Sequence, residues 1–331
     1  LPTFAGQSYD TGQACNRDQI FTRNGNTVLR KSSYLLSVAA CGALLASCGG
    51  NNTPDPTPSP TPSPTDTATP TPTPAPPPNF DFADDFVSTG GGNYIYAYFT
   101  PTGEAEVFSD ATRIAGTGGI SFAASPESIL FAFPDLENPV EFSGDDLTGA
   151  TANLRTYVNG DESLQIERPF INTLRVTYQR NDSTIIETEP GNLRSRRVTL
   201  LGLPITTTDP ITTDLTYTGT PEVVGGVSGT TLPDGVLTQE TTFTVDVSEE
   251  TVSGTIRIFD NDGVPTQVAE LEFSTGVSAN GTFADDVTDA TFGFTGRFSG
   301  GIVGPDRDEL LLIFAASHTD GRKYVGSLIG D

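Results

Sequence analysis

The chain has 331 residues, with 42 Asp and Glu against 17 Lys and Arg, a formal net charge of −25. A charge of that sign and size repels DNA, RNA and anionic lipid surfaces, so a nucleic-acid partner is excluded. One histidine and three cysteines, two of them upstream of position 48, leave no material for a disulfide framework or a Cys- or His-rich metal site.

Residues 1–27 are polar, lack periodicity and match no targeting pattern, and the chain contains no methionine. They read as translated upstream sequence with Cys15 a passenger, the start lying at Val28 or Leu29 on a non-AUG codon. Residues 28–47 read as a secretory signal. Arg30 and Lys31 form the basic end, an apolar run extends from Leu35 to Leu45, and small residues precede the cut. The run is shorter than the roughly 20 apolar residues of a spanning helix. The stretch Leu45, Ala46, Ser47, Cys48, Gly49 resembles the lipobox of bacterial lipoproteins. That resemblance implies cleavage before Cys48, with a diacylglycerol on its sulfur and a further acyl chain such as palmitate on its amine. Cys41 leaves with the signal peptide. Gly49 stands where an Asp is associated with inner-membrane retention, which points to the outer membrane.

Residues 48–78 comprise Cys48 and a tether dominated by Thr-Pro, Ser-Pro and Pro-Pro. Proline fixes φ and removes donors, so this tract is expected to be extended and polyproline-like. At about 3.1 Å per residue its 28-residue Pro/Thr part reaches roughly 85 Å. It reads as a spacer holding a folded domain off a membrane.

Residues 79–331 are all-β in pattern: short alternating apolar runs punctuated by Gly, Asn-Asp-Gly and Thr-Asp-Gly. A β-rich handle is expected over 79–210, with apolar runs at 93–99, 129–133, 174–178 and 198–201. The segment 205–213 reads as a connection. An eight-stranded antiparallel up-and-down β-barrel is expected over 211–331, with strands at 215–219, 243–247, 252–258, 268–274, 279–284, 292–298, 310–315 and 324–329. Eight strands close on an interior just wide enough for side chains to fill. Phe292, Phe294 and Phe298 are expected to point inward, and Thr291, Thr295 and Arg297 outward.

Little in the chain looks catalytic, and it reads as not an enzyme. Tyr94, Tyr96 and Tyr98 share one face of a strand, with Ile95, Ala97 and Phe99 on the other. Aromatic residues with a polar tip favour interfaces, so this face is the candidate binding surface, or else a half-buried layer. His318 beside Tyr324 is a candidate haem ligand pair, or else a residue of an exposed turn. Asp260 to Gly263 reads as a hairpin turn, because Ile258 occupies a ligand position of the calcium loop. The acidic loops around Asp285, Asp286, Asp289 and around Asp306, Asp308, Glu309 read as solvated surface, with weak calcium binding as the alternative. No resident metal or cofactor is expected beyond the lipid on Cys48.

The last third carries Thr216-Tyr217-Thr218-Gly219, then Phe243-Thr244-Val245-Asp246 leading into Thr251 to Ile256, then Ala279-Asn280-Gly281-Thr282-Phe283 and Gly296-Arg297-Phe298-Ser299-Gly300. It closes on Gly304-Pro305, Asp308-Glu309 and Gly326-Ser327-Leu328-Ile329-Gly330. In this order the segments resemble the barrel of the transferrin-binding protein B family of surface lipoproteins. Leu310-Leu311-Leu312 departs from the Gly-Gly of that pattern. The resemblance implies a handle followed by a barrel, a lipid-anchored outer-membrane protein at the cell surface, and a role in binding an extracellular ligand or an iron or haem carrier protein for delivery to an outer-membrane transporter. The alternatives are an adhesive or envelope-structural lipoprotein without a small ligand, a hydrolase, and a carrier holding an apolar ligand inside the barrel.

Overall fold

The computed structural model describes residues 79–231, 235–261 and 263–331, all within one compact unit. Cys48, the signal segment and the tether lie outside the described residues. The described chain is built from antiparallel strands with one short 3-10 turn, Gly144–Asp146.

The first half begins with β1 (Phe86–Gly90), β2 (Gly92–Pro101), β3 (Val107–Arg113), β4 (Gly118–Ala124), β5 (Glu127–Ala132) and β6 (Val140–Ser143). It continues with β7 (Leu147–Ala150), β8 (Leu154–Asn159), β9 (Glu162–Glu167), β10 (Thr173–Ile186) and β11 (Glu189–Gly202). Two sheets result, ordered β1-β4-β5-β6 and β3-β2-β11-β10-β9-β8-β7. They pack face to face through alternate residues. Phe86, Ile120, Phe122, Ile129, Phe131 and Phe142 of the smaller sheet meet Tyr157, Leu164, Ile166, Leu174, Val176 and Tyr178 of the larger. The expected apolar runs at 93–99, 174–178 and 198–201 fall in β2, β10 and β11, and that at 129–133 in β5 and the residue after it.

β11 ends at Gly202 and the next strand starts at Leu215, with no strand between them. The second half has β12 (Leu215–Gly219), β13 (Glu222–Val227), β14 (Val236–Thr238), β15 (Thr241–Asp246) and β16 (Thr251–Asp260). It closes with β17 (Thr266–Gly276), β18 (Thr282–Thr288), β19 (Thr295–Val303), β20 (Glu309–Ser317) and β21 (Arg322–Gly330). The sheet runs β12-β15-β16-β17-β18-β19-β20-β21-β13, with β14 also on β16. β12 and β13 are one segment with a step at Thr220-Pro221, so the same stretch pairs with both ends of the sheet. The Thr218 and Asp331 backbones exchange hydrogen bonds of 2.9 and 3.3 Å as it crosses. Counting β12/β13 and β14/β15 as single staves gives eight. Among the described residues the β17–β18 junction is the sparsest, with Glu272↔Thr288 as its paired register.

The barrel interior is filled. Phe273 contacts Phe243, Phe298 and Phe314 at 5.7, 5.2 and 5.6 Å between ring centres. Small residues opposite make the room: a Cβ on Gly326 would meet the Phe314 ring at 2.8 Å. Phe294 and Phe298 point inward as expected and Phe292 packs half-buried against them. Two strands start three residues later than expected. β18 begins at Thr282 because Ser278 to Gly281 forms a turn, with Gly281 at φ +81°. β19 begins at Thr295 because Asp289 Oδ1 accepts from Thr291 N (3.0 Å) and Phe292 N (2.7 Å), and Gly293 adopts φ +80°. The period-two pattern upstream of Thr295 therefore belongs to a loop. β13 and β14 were not expected, since Val223-Val224-Gly225-Gly226 lacks alternation.

Candidate functional site

The larger handle sheet lies with its other face against the barrel. Tyr94, Tyr96, Phe108, Ala111, Val198 and Leu200 pack on Leu311, Ile313, Val325 and Ile329. Residues alternate across β20: Leu310, Leu312 and Phe314 enter the barrel core, whereas Leu311 and Ile313 face the handle. A strand buried on both faces needs a continuous apolar run, which accounts for Leu310-Leu311-Leu312.

This corrects the reading of the tyrosine face as a surface for an outside partner. The three rings do lie together, 6.3 Å between Tyr94 and Tyr96 and 5.9 Å between Tyr96 and Tyr98. Tyr94 and Tyr96, however, are 3% and 7% exposed, covered by this chain's own barrel. Tyr94 Oη sits 3.3 Å from Ser327 Oγ of β21, and burial pushes its phenol up. Tyr98 lies half-buried at the rim under the Arg194 guanidinium, 4.9 Å from the ring centre, and burial pushes its phenol up to about 12.

Polar ties flank the apolar joint. Arg175 of β10, 8% exposed, binds Glu167 of β9 and Glu222 of β13. Glu309 is buried and its Oε1 accepts from Asn172 N at 2.9 Å; burial raises its carboxyl above the ordinary range. Asp308 Oδ2 meets Asn172 Nδ2 at 3.4 Å. Glu309 thus holds handle to barrel, so reading it as solvated surface is corrected, whereas Asp306 and Asp308 are exposed as expected. Of the other acidic loop, Asp286 pairs with Arg297 at 3.2 Å and Asp289 caps backbone. Among the described residues no group of three or more His, Cys, Asp or Glu side chains is placed to hold a metal ion.

His318 and Tyr324 both pack against one ring. Phe294 is 5.2 Å from the His318 ring and 5.4 Å from that of Tyr324. His318 Nδ1 is engaged by Asp320, 2.8 Å to its Oδ1, and Tyr324 is 5% exposed within the barrel core. With Phe294 against both rings, the pair does not present two ligands to a common open space.

The open space is elsewhere. A cleft of about 650 Å³ runs along the joint between the Thr89–Gly92 turn and the outer wall of β18, β19 and β20. Its surface is mainly apolar, and glycine recurs in the wall, at Gly90, Gly91, Gly92, Gly202, Gly300 and Gly301. Its polar side chains are the hydroxyls of Thr89, Ser278, Thr282 and Ser299. A second cavity of about 360 Å³, beneath Ile205 and Ile211 at one mouth of the barrel, shares Ser278 with it. Sequence reasoning did not find this cleft, because much of its wall is glycine and the rest reads as ordinary strand residues. The signal was the Gly90-Gly91-Gly92 and Gly300-Gly301 runs, which meet only in the fold.

No family model matches the chain, and no curated protein matches it. Among solved structures it is similar to the isotype 1 transferrin binding protein B from serogroup B Neisseria meningitidis, at 13% identity and TM-score 0.40, over 72% of this chain and 43% of that one. A transferrin binding protein B variant from Actinobacillus pleuropneumoniae H49 is similar at 12% identity and TM-score 0.36, over 73% of this chain and all of that one. A protein described as a surface lipoprotein is similar at 12% identity and TM-score 0.32, over 73% of this chain and 100% of that one. This chain therefore spans less than half of the Neisseria structure.

Proposed function

We propose that the chain is a lipid-anchored binding protein of the bacterial outer surface, held through Cys48, that captures an extracellular ligand or carrier protein and performs no reaction on it. The observation that carries this reading is the joint cleft. Both domains line it, its surface is mainly apolar, and its hydroxyls stand without an acid or base among the wall residues. Such a wall suits capture by shape and apolar contact. An iron or haem carrier as cargo, and handover to an outer-membrane transporter, complete the proposal.

The test is capture by the mature lipoprotein, purified in detergent and offered haem, ferric chelates and iron-carrier proteins, with bound species identified by mass spectrometry and absorbance. Retention of one of these supports the reading. A folded protein that retains none, in cells whose growth under iron limitation survives deletion of the gene, overturns it. An adhesive lipoprotein is the second reading. One row across the smaller handle sheet, Val87, Ser121 and Leu130, faces outward with Val87 75% and Leu130 45% exposed. Anchoring is tested separately: an alkyne-tagged fatty acid should label the protein in cells, and Cys48→Ser should abolish the label.

A further inference from the structure

One wall residue of the joint cleft, Ser299, is bonded to an arginine. Arg113 of β3 donates from a terminal guanidinium nitrogen to Ser299 Oγ at 2.7 Å, and Ser299 belongs to the cleft wall. Among the described residues its Nε is buried with no hydrogen-bond partner, and no Asp or Glu lies within ion-pair distance of it. In a chain of net charge −25 a half-buried cation left unpaired is costly unless an anion joins it. Burial and the nearby Arg297 both disfavour its charge. Arg297, Ser299 and Gly301 share the outward face of β19, since side chains alternate along a strand. The wall thus grades over roughly 13 Å from bare backbone at Gly301 toward Arg113 and the Arg297–Asp286 pair.

The glycines point the same way. A Cβ on Gly91 would meet nothing within 4 Å, and one on Gly301 would come no nearer than 3.8 Å to Gly281 O. Neither adopts a positive φ. Packing and backbone conformation therefore do not require glycine at either place. Gly301 lies inside β19, where a glycine costs roughly 0.5–1 kcal/mol relative to alanine and often marks a close approach by a ligand.

We propose that the joint cleft binds a long-chain carboxylate, its apolar chain over Gly91 and Gly301 and its acid group against Arg113. This deepens the reading of the cleft as the ligand site and rests on it. An ionised acceptor suits an arginine that offers unused donors in a partly dry setting.

The test is titration of the mature lipoprotein with a fluorescent long-chain fatty acid, competed by an unlabelled fatty acid and by the alcohol of the same length. Binding is expected with the acid preferred. Gly301→Leu, which fills open space without strain, should abolish it while circular dichroism and thermal midpoint hold. Arg113→Gln should weaken acid binding roughly tenfold or more and leave the alcohol unchanged. Equal competition by acid and alcohol, with Arg113→Gln silent but Gly301→Leu blocking, overturns the carboxylate assignment while the cleft remains the ligand site. Binding that survives Gly301→Leu overturns the placement. No binding by folded protein overturns the inference and leaves the carrier capture experiment to decide the proposed function.

Discussion

Glu309 offers a test of how handle and barrel are joined. Its side chain is 2% exposed and its Oε1 accepts from the Asn172 backbone at 2.9 Å, while Oε2 is buried without a partner. Glu309→Ala leaves the Asn172 N–H without its acceptor, which costs roughly 1–3 kcal/mol. In a domain of this size each kcal/mol lowers the thermal midpoint by about 2–4 °C, so a fall on the order of 5 °C is expected. Glu309→Gln keeps an acceptor oxygen in place and removes the charge. Burial, with Asp308 adding, raises the folded carboxyl above its ordinary value of 4.5. The folded state therefore holds the proton more tightly than the unfolded chain does. That contribution is fully present below about 4.5 and is lost as pH rises through the folded value. Wild type and Glu309→Gln should be of similar stability in acid, with Glu309→Gln ahead at neutral pH. Thermal melts of the three proteins from pH 4 to 8 read this directly. If Glu309→Gln is as damaging as Glu309→Ala at pH 7, or if its gap from wild type does not change with pH, the account of this joint is wrong.

Other outcomes follow from the same structure. Phe298→Ala removes a ring 5.2 Å from Phe273 in the filled barrel and should cost about 3–5 kcal/mol by urea denaturation; a loss below 1 kcal/mol would mean the interior is loosely packed. Tyr94→Ala should cost a similar amount and Tyr94→Phe about 1 kcal/mol for the bond to Ser327. Tyr94→Ala variants of full stability that lose partner binding would restore the tyrosine face as an external surface. The Asp320 carboxyl is pushed down to about 2, first by the Arg322 backbone N–H and then by the His318 and Arg322 side chains. Its contribution to the turn should be present above the ordinary value of 3.8 and lost as pH falls toward 2, and carbon NMR of the carboxyl would show an ordinary titration if the turn is not so held.

The strand content was legible because a half-buried strand alternates. Val252, Ile256 and Ile258 repeat at even spacing and enter the barrel core of β16. Hairpin turns were legible from Thr319-Asp320-Gly321, where Gly321 takes φ +95°. The pattern misled at Phe292 and Phe294, because a carboxylate cap at Asp289 satisfies the backbone as well as a neighbouring strand does. The face of Tyr94, Tyr96 and Tyr98 was legible as a face, but its covering was not.

By itself the sequence determined the all-β class, most of the barrel strands and a filled interior, since these follow from local periodicity and side-chain volume. Only the tertiary structure decided what each outward face meets. Leu311 and Ile313 lie more than a hundred residues from Val198 and Leu200, yet bury one another. The joint cleft likewise brings Gly91 and Gly301, far apart in the chain, into one wall. Alternation along a strand tells which residues share a side, and it carries no information about which distant sheet will come to lie against it.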